Sequence, residues 1–480
     1  MSYVGSLAAR RSVAQHLRPK TAAIPLLSLP KSTPLWMAAA YMWFFIIRPW
    51  ERLFPWMQVA PVEKILAIAL LASVLFSTRT RYRFGFQSGV VVAFLGVLLV
   101  SAIAGFSFER SWEQVYKYFT MAVFYFVIVW VVRRPNDLFF LVIAYLTSAM
   151  AFLAKSEWEY VVHGSAQFQM GVRRLVGINV LFGHANSVAA MIVTTLPLVY
   201  FLWTRRDDVS AGSSRRWRTF LKVGLIAYTA VAISALILTN SRSGMITAIF
   251  LVFLISLGKK GGARKLGAVV TAVVLVITTW AFMPEDSRNR LRTVWNPEAG
   301  PANAEASMEG RLRGLRVGLQ LFQAYPALGV GVGNFGAYRQ VHLDGDFHEA
   351  HNLLGQILGE IGALGLVSFM FVVGTVLANC TRIIRLSRRR NRNLNSGVFS
   401  DFAVACRNII FVLLFLGIGG HNMLSFTWLW TAAFAFAALC LMNDLGVDDS
   451  VNRESGTAAH ASRSAHAVTR PSKNPDKPQR

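Results

Sequence analysis

Residues 88–106 read SGVVVAFLGVLLVSAIAGF, a run of 19 residues without a charged side chain. An α-helix needs about 20 mostly apolar residues to cross the hydrocarbon core of a bilayer. The run follows the basic segment TRTRYR at 78–83, and lysine and arginine are enriched in cytoplasmic loops. The stretch therefore predicts a membrane-spanning helix that starts on the cytoplasmic side.

Similar apolar runs recur along the whole chain. Hydrophobic residues occupy 54% of the 480 positions and charged residues only 15%, which excludes an ordinary soluble protein. We predict an all-α polytopic membrane protein with about twelve transmembrane helices. The expected ranges are 34–47, 60–77, 88–106, 118–132, 137–154, 181–203, 221–239, 244–258, 266–283, 352–379, 404–420 and 424–442. The first run is short, so a re-entrant or interfacial segment is an alternative there.

The basic residues alternate between the two sides of the predicted bundle. The chain carries 49 Lys and Arg against 24 Asp and Glu, a formal net charge of +25. With the N-terminus inside, 33 of the 49 fall in alternate connections, as expected for cytoplasmic loops. A nucleic-acid-binding protein would not place basic clusters between apolar runs of membrane-spanning length. The charge therefore indicates both termini in the cytoplasm, and we expect no nucleic-acid partner.

This topology gives the domain organisation. Residues 1–33 form a basic cytoplasmic segment, 34–283 the first nine helices and 284–351 a large periplasmic loop. Residues 352–442 form the last three helices. The polar segment 443–480 has too few apolar residues to fold, so we expect a disordered cytoplasmic tail.

The large outer loop carries helical patterning. Leu312, Leu315, Leu319 and Phe322 recur at helix-face spacing. The pattern favours either a basic amphipathic helix at the lipid surface or a helix that caps the bundle. The following PALGVGVGNFGAY at 326–338 lacks the strand and helix that flank a phosphate-binding glycine loop, so we interpret it as a compact turn.

The same loop contains weak metal-binding patterns. Asp344 and Asp346 form an acidic pair, and His348 and His351 have a spacing found in some metal sites. Neither pattern is specific, because no cysteine and no HExxH helix accompanies it. We expect no metal and no other cofactor.

The sharper signals are arginines at the ends of apolar runs. Arg242 lies in the turn NSRSG between two predicted helices, Arg174 precedes the run that carries Asn186, and Arg311 lies in the large loop. A guanidinium group stays charged and bonds two phosphate oxygens at once. Three arginines on the outer side therefore suit a diphosphate, although Arg242 could instead reach lipid phosphate.

The end of the loop leads into a helix with polar positions. Asn352, Gln356 and Glu360 recur every four residues on an otherwise apolar helix and should face the bundle interior. Glu360 could hold an arginine or serve helix packing. His351 lies where this helix meets the outer surface, and its imidazole could be structural or could accept a proton from a sugar hydroxyl.

Taken in order, these pieces resemble the O-antigen ligase and polymerase family of bacterial membrane glycosyltransferases. The matching motifs are Arg174-x-x-Gly177 followed by Asn186, NSRSG at 240–244, Arg311 ahead of YPALGVG at 325–331, and His351-Asn352 leading to Glu360-x-Gly362-x-x-Gly365. Arg48-Pro49 is also similar to members of this family, whereas His184 and the second histidine His348 depart from its pattern.

The resemblance implies transfer of a glycan from undecaprenyl diphosphate to an acceptor hydroxyl at the periplasmic face of the bacterial inner membrane. It also implies that neither a metal nor a nucleotide sugar is needed, because the lipid diphosphate is the leaving group. We expect His351 to act as the base, with His348 as an alternative. The expected diphosphate ligands are Arg174, Arg242 and Arg311, and the supporting residues are Asn186, Asn352 and Glu360.

The acceptor stays open at this point. A lipid A core sugar would make the protein an O-antigen ligase, the next lipid-linked repeat a polymerase, and a protein an O-oligosaccharyltransferase. A twelve-span transporter or flippase is the alternative from another class, and it predicts functional charges at the bilayer midplane together with internal symmetry. The charges here cluster at the outer boundary instead.

Overall fold

The computed structural model describes residues 29–52, 54, 62–169, 172–258, 303–389 and 394–444, together with separate positions between 262 and 292. The expectations for residues 1–28, for the tail from 445 and for most of the run 266–283 lie outside this part of the chain.

The described chain is built almost entirely of helices. They are α1 Thr33–Ile47, α2 Pro49–Arg52, α3 Val62–Leu75, α4 Phe86–Ala104, α5 Phe108–Val131, α6 Pro135–Val161, α7 Ala185–Thr204, α8 Arg206–Val209, α9 Arg215–Leu238, α10 Arg242–Leu257, α11 Glu285–Arg292, α12 Asn303–Ala324, α13 Phe335–His342, α14 Leu353–Arg389, α15 Leu394–Gly417 and α16 Phe426–Asp444. Two short strands, β1 Gln167–Gln169 and β2 Val172–Arg174, pair antiparallel between α6 and α7.

Eight helices among the described residues are long and apolar enough to cross a membrane, namely α4, α5, α6, α7, α9, α14, α15 and α16. Helix α10 is a shorter apolar helix of 16 residues. Helices α1 and α3, of 15 and 14 residues, coincide with two further predicted runs. A helical protein with several membrane spans is therefore confirmed, while the count of twelve and the assignment of the two faces stay predictions.

Some helices extend well beyond the apolar run that predicted them. Helix α5 begins at Phe108 rather than at 118, and its added turns contain Glu109, Glu113 and Lys117, which are good helix formers. Helix α14 continues to Arg389 rather than ending at 379. The length of an apolar run corresponds only to the part of a helix that suits the hydrocarbon core, so it underestimates the length of the whole helix.

An aromatic cluster joins helices that are distant in sequence. The buried Trp430 of α16 lies 5.5 Å from Phe45, 5.3 Å from Phe124, 5.2 Å from Tyr145 and 4.7 Å from Phe426, measured between ring centroids. Tilted and edge-to-face aromatic pairs of this kind contribute about 0.5–1.5 kcal/mol each beyond their buried area. They tie α1, α5, α6 and α16 into one bundle.

Helix α14 is interrupted at Gly362, whose φ of 63° and ψ of −158° are not helical. The PALGVGVG turn fills the interruption: the amide of Val330 donates to the carbonyl of Gly359 and the amide of Gly331 to that of Glu360, both at 2.9 Å. Backbone amides and carbonyls buried away from water require such internal partners. The glycine-rich motif is therefore a compact turn that completes a broken helix.

Helix α12 approaches the start of α14 through glycines. A β-carbon at Gly314 would overlap the carbonyl oxygen of Ala350, and one at Gly318 would lie 2.5 Å from that of Gly355. Small residues at helix contacts allow backbones to come this close. The loop that leads into α14 is thus held directly against α12.

The buried face of α12 differs from the one that the leucine pattern indicated. Leu312 and Leu319 are 51% and 42% exposed, whereas Val317 and Leu321 are buried on the glycine side. Close backbone contact at the glycines decides which face of α12 packs against α14. The pattern of large apolar residues does not predict this contact. Helix α12 therefore packs against α14 through its glycine face, and its placement relative to the membrane surface stays a prediction.

We expect Gly314→Ala to lower the free energy of unfolding by about 1–3 kcal/mol, because the added methyl group must push α12 away from the backbone at Ala350. Gly310→Ala is the matched control in the same helix, since nothing lies within 4 Å of its β-carbon position, and it should stabilise the helix by about 0.5–1 kcal/mol. Thermal unfolding in detergent measures both. Equal transition temperatures for the two variants would contradict the close contact.

Candidate active site

Arg174 is the buried anchor of a polar cluster at several helix ends. It closes β2 and is only 3% exposed. Its Nε donates to the carbonyl of Thr239 at 2.9 Å and its Nη2 to Oδ1 of Asn186 at 2.7 Å. The same Asn186 oxygen accepts from the hydroxyl of Ser241 at 2.9 Å. Strand β2, the start of α7 and the turn between α9 and α10 are therefore fixed together.

The NSRSG turn owes its shape to its own residues. Asn240 adopts a left-handed backbone with φ of 49°, and its side-chain Nδ2 donates to the carbonyl of Arg173 at 3.0 Å. Ser241 caps α10, because its hydroxyl accepts from the amide of Gly244 at 3.2 Å. Arg242 is thereby the first residue of α10, half-buried at the mouth of the α9–α10 hairpin.

Arg311 reaches the same region from α12. Its guanidinium lies against Gly419, where a β-carbon would be 3.2 Å from Nη1. It interacts electrostatically with Arg242 and with His351. Burial lowers the pKa of Arg311, so the surroundings disfavour its charge. Two guanidinium groups in mutual repulsion and partly out of water favour an anion between them.

His351 lies directly before α14 with a left-handed φ of 48°. Its ring keeps contact with solvent, yet the surrounding protein and then the charge of Arg311 lower its pKa from 6.5, with smaller contributions from His348, His184 and Arg339. The imidazole is therefore neutral at neutral pH, which is the form that accepts a proton.

His421 completes the group and was not singled out by the sequence patterns. Its ring centroid lies 5.1 Å from that of His351. Burial, followed by His351 and His184, lowers the pKa of His421 to about 4. Its only sequence signal is its position directly after an apolar run on the predicted outer side. Two neutral imidazoles thus lie side by side next to Arg311.

The supporting amides shape the start of α14. Oδ1 of Asn352 accepts from the amide of Gly355 at 2.9 Å and caps the helix, while its Nδ2 donates to the carbonyl of Ile418 at 2.9 Å. Oε1 of Gln356 accepts from the amide of Met423 at 3.3 Å. The loop between α15 and α16, which carries the second imidazole, is therefore held against α14.

Glu360 lies deeper and away from the guanidinium groups described above. It is 1% exposed, and its nearest side-chain donor is Nε2 of Gln356 at 3.5 Å. Its backbone carbonyl accepts from Gly331 and from the hydroxyl of Ser101. Of the two interpretations of Glu360, support of the broken helix fits these contacts and the holding of an arginine does not.

Arg339 organises the acidic pair ahead of α14. It is 2% exposed, and its Nη2 donates to Asp344 and Asp346, both at 2.8 Å. Arg313 also donates to Asp344 at 2.8 Å, and His348 is hydrogen-bonded to Asp346. Within the part of the chain that the structure describes, no group of three or more metal-ligating side chains occurs. The carboxylates hold guanidinium groups and fix the loop.

Two other arginines, Arg173 and Arg48, have their contacts outside the group formed by Arg242, Arg311 and His351. Arg173 stacks on the ring of Tyr160 at 4.4 Å and donates to its carbonyl at 2.6 Å. Arg48 pairs with Glu51 at 3.0 Å, and the same carboxylate accepts from the amide of Val180 at 2.7 Å. Their contacts organise the loop between α6 and α7.

One family of known proteins matches part of the chain. Residues 227–370 match the model of a family described as O-antigen ligase. The matched segment contains Arg242, Arg311 and His351, while Arg174 and Asn186 precede it. No curated protein matches the chain. The match over residues 227–370 confirms the resemblance to the O-antigen ligase family that the motifs in this segment indicated.

Proposed function

We propose that the protein transfers a glycan from undecaprenyl diphosphate to an acceptor hydroxyl on the periplasmic side of a bacterial inner membrane. The proposed acceptor is a sugar of the lipid A core. The observation that carries the proposal is the meeting of Arg242, Arg311 and His351 at one end of the bundle. These groups come from three separate segments and provide paired positive charge next to a neutral imidazole.

Arg242 and Arg311 bind the diphosphate in this proposal. Their guanidinium groups suit phosphate oxygens in geometry and charge, and an anion between them relieves their mutual repulsion. The proposal needs no metal ion, because these groups supply the positive charge. For Arg174 we propose a positioning role in place of the expected contact with the diphosphate, and its burial and its bonds to Thr239 and Asn186 support this role.

The reaction is a single displacement. The acceptor oxygen attacks the anomeric carbon, its proton passes to the neutral ring of His351, and the bond from the anomeric carbon to the phosphate oxygen breaks. The departing electron pair stays on the diphosphate, where the two arginines stabilise it. Attack opposite to the leaving group inverts the anomeric configuration. The polyprenyl chain of the donor stays in the bilayer beside the helices.

A deletion strain tests the function and separates the candidate acceptors. Loss of a ligase leaves long glycans on the lipid carrier and none on the lipid A core, whereas loss of a polymerase leaves single repeats attached to the core. A gel of surface glycans distinguishes these outcomes, and restoring the gene must restore the normal pattern. Unchanged surface glycans together with unchanged protein glycosylation would contradict the proposal.

A further inference from the structure

A groove of about 800 Å³ opens on the side of the bundle between α4, α14 and α16. Its walls are mostly apolar and include Phe86, Met370, Phe371 and Leu439. The groove follows α14 from Leu366 onward and lies away from the helix end that carries the candidate active site. It is therefore separate from the site of glycan transfer.

One end of the groove is basic. Arg382 lines this end, is exposed, and forms no ion pair with any residue in the described ranges. The neighbouring wall ends at Asn443, directly before Asp444. Arg83 and Arg81 share that single carboxylate, at 2.6 Å and 3.5 Å. Three guanidinium groups with one carboxylate leave this end positive.

The spacing along α14 between the broken segment and this charge matches the thickness of a bilayer. From the interruption at Gly362 to Arg382 the helix rises by roughly 30 Å at about 1.5 Å per residue. The hydrocarbon core of a bilayer is also about 30 Å thick. If the broken segment lies near one interface, Arg382 lies at the headgroup level of the other.

We propose that this groove binds an anionic phospholipid, with an acyl chain along the apolar wall and the phosphate at Arg382. The apolar wall alone would give little selectivity, because lipid tails are as apolar as the side chains that contact them. The guanidinium of Arg382 supplies the selectivity, since arginine bonds phosphate oxygens in pairs and basic pockets between membrane helices bind anionic headgroups. The lipid fills the groove and neutralises the basic end.

Lipid titration of the purified full chain tests the headgroup requirement. Native mass spectrometry in detergent would compare phosphatidylglycerol with phosphatidylcholine, and we expect preferential retention of phosphatidylglycerol. Arg382→Gln should weaken this binding roughly fivefold, the contribution of one arginine near an anionic surface. Arg388→Gln, a change on the same helix but on another face and outside the groove lining, should leave it unchanged. Equal retention of both lipids by the wild type would overturn the proposal.

A second variant tests whether the groove itself is occupied. Nothing lies within 4 Å of the β-carbon position of Gly374, so Gly374→Leu places its side chain in the groove without a clash. It should reduce bound phosphatidylglycerol several-fold. Gly96→Leu on α4 is the matched control, because its position is equally open and lies outside the groove. Unchanged lipid binding in Gly374→Leu would overturn the proposal. So would a wild-type dimer that this substitution dissociates, because a second copy of the chain would then occupy the groove.

Discussion

Replacing His351 by asparagine is expected to lower the rate of glycan transfer by about 10²–10⁴-fold, the usual contribution of a general base. Asparagine suits the test because it tolerates the left-handed backbone that His351 adopts with φ of 48°. The change therefore removes the proton acceptor and keeps the turn into α14. Donor binding should change little, since the diphosphate contacts belong to the arginines.

His348→Asn is the matched control for this prediction. His348 is exposed and hydrogen-bonded to Asp346, whereas His351 lies beside Arg311 and His421. Transfer by purified protein, measured with a lipid-linked glycan and a core acceptor, should be lost only in the His351 variant. A larger loss in His348→Asn would make His348 the base.

The helical membrane architecture could be predicted because apolar length has a direct physical meaning. Hydrocarbon contains no water, so a spanning segment must satisfy its backbone internally and present apolar side chains. Apolar runs such as 88–106 therefore predicted helices close to their observed positions. Helix ends were less predictable, because residues such as Glu109 and Glu113 continue a helix after the apolar run has ended.

The contact between α12 and α14 could not be predicted from large apolar residues. It depends on Gly314 and Gly318, where the missing side chains let two backbones touch. A pattern of leucines indicates where large side chains pack, whereas this contact forms at glycines, which have no side chain. The glycine spacing of four residues was the only available signal.

The residue types in the candidate site do not by themselves assign roles, because the roles depend on burial. An arginine that binds a substrate and an arginine that braces a turn look alike in a sequence. Only the structure shows that Arg174 is enclosed by Thr239 and Asn186 while Arg242 lies at the mouth of the hairpin. His421 was harder still, because its position beside His351 depends on how the loop after α15 folds back.

Arg311→Gln is expected to lower transfer by about 10²–10³-fold, the effect of removing one preorganised donor to a developing charge. It should also change the pH dependence of the remaining activity. A general base works only in its neutral form, so the rate falls as the pH drops through the pKa of that base. Burial and the charge of Arg311 hold the pKa of His351 below 6.5. Without that charge the pKa rises, and the acidic limb of the rate profile moves to higher pH.

Arg311→Lys separates the two effects of this side chain. Lysine keeps the positive charge, so the acidic limb should stay where it is in the wild type, but it cannot bond two phosphate oxygens in the planar manner of arginine. The rate should therefore fall in both variants while the limb moves only in Arg311→Gln. The rate of carbethoxylation of His351, followed by mass spectrometry over a pH series, measures the pKa of His351 independently of catalysis. A limb that stays unchanged in Arg311→Gln would show that the charge of Arg311 does not act on His351, and the proposed pairing of diphosphate ligand and base would fail.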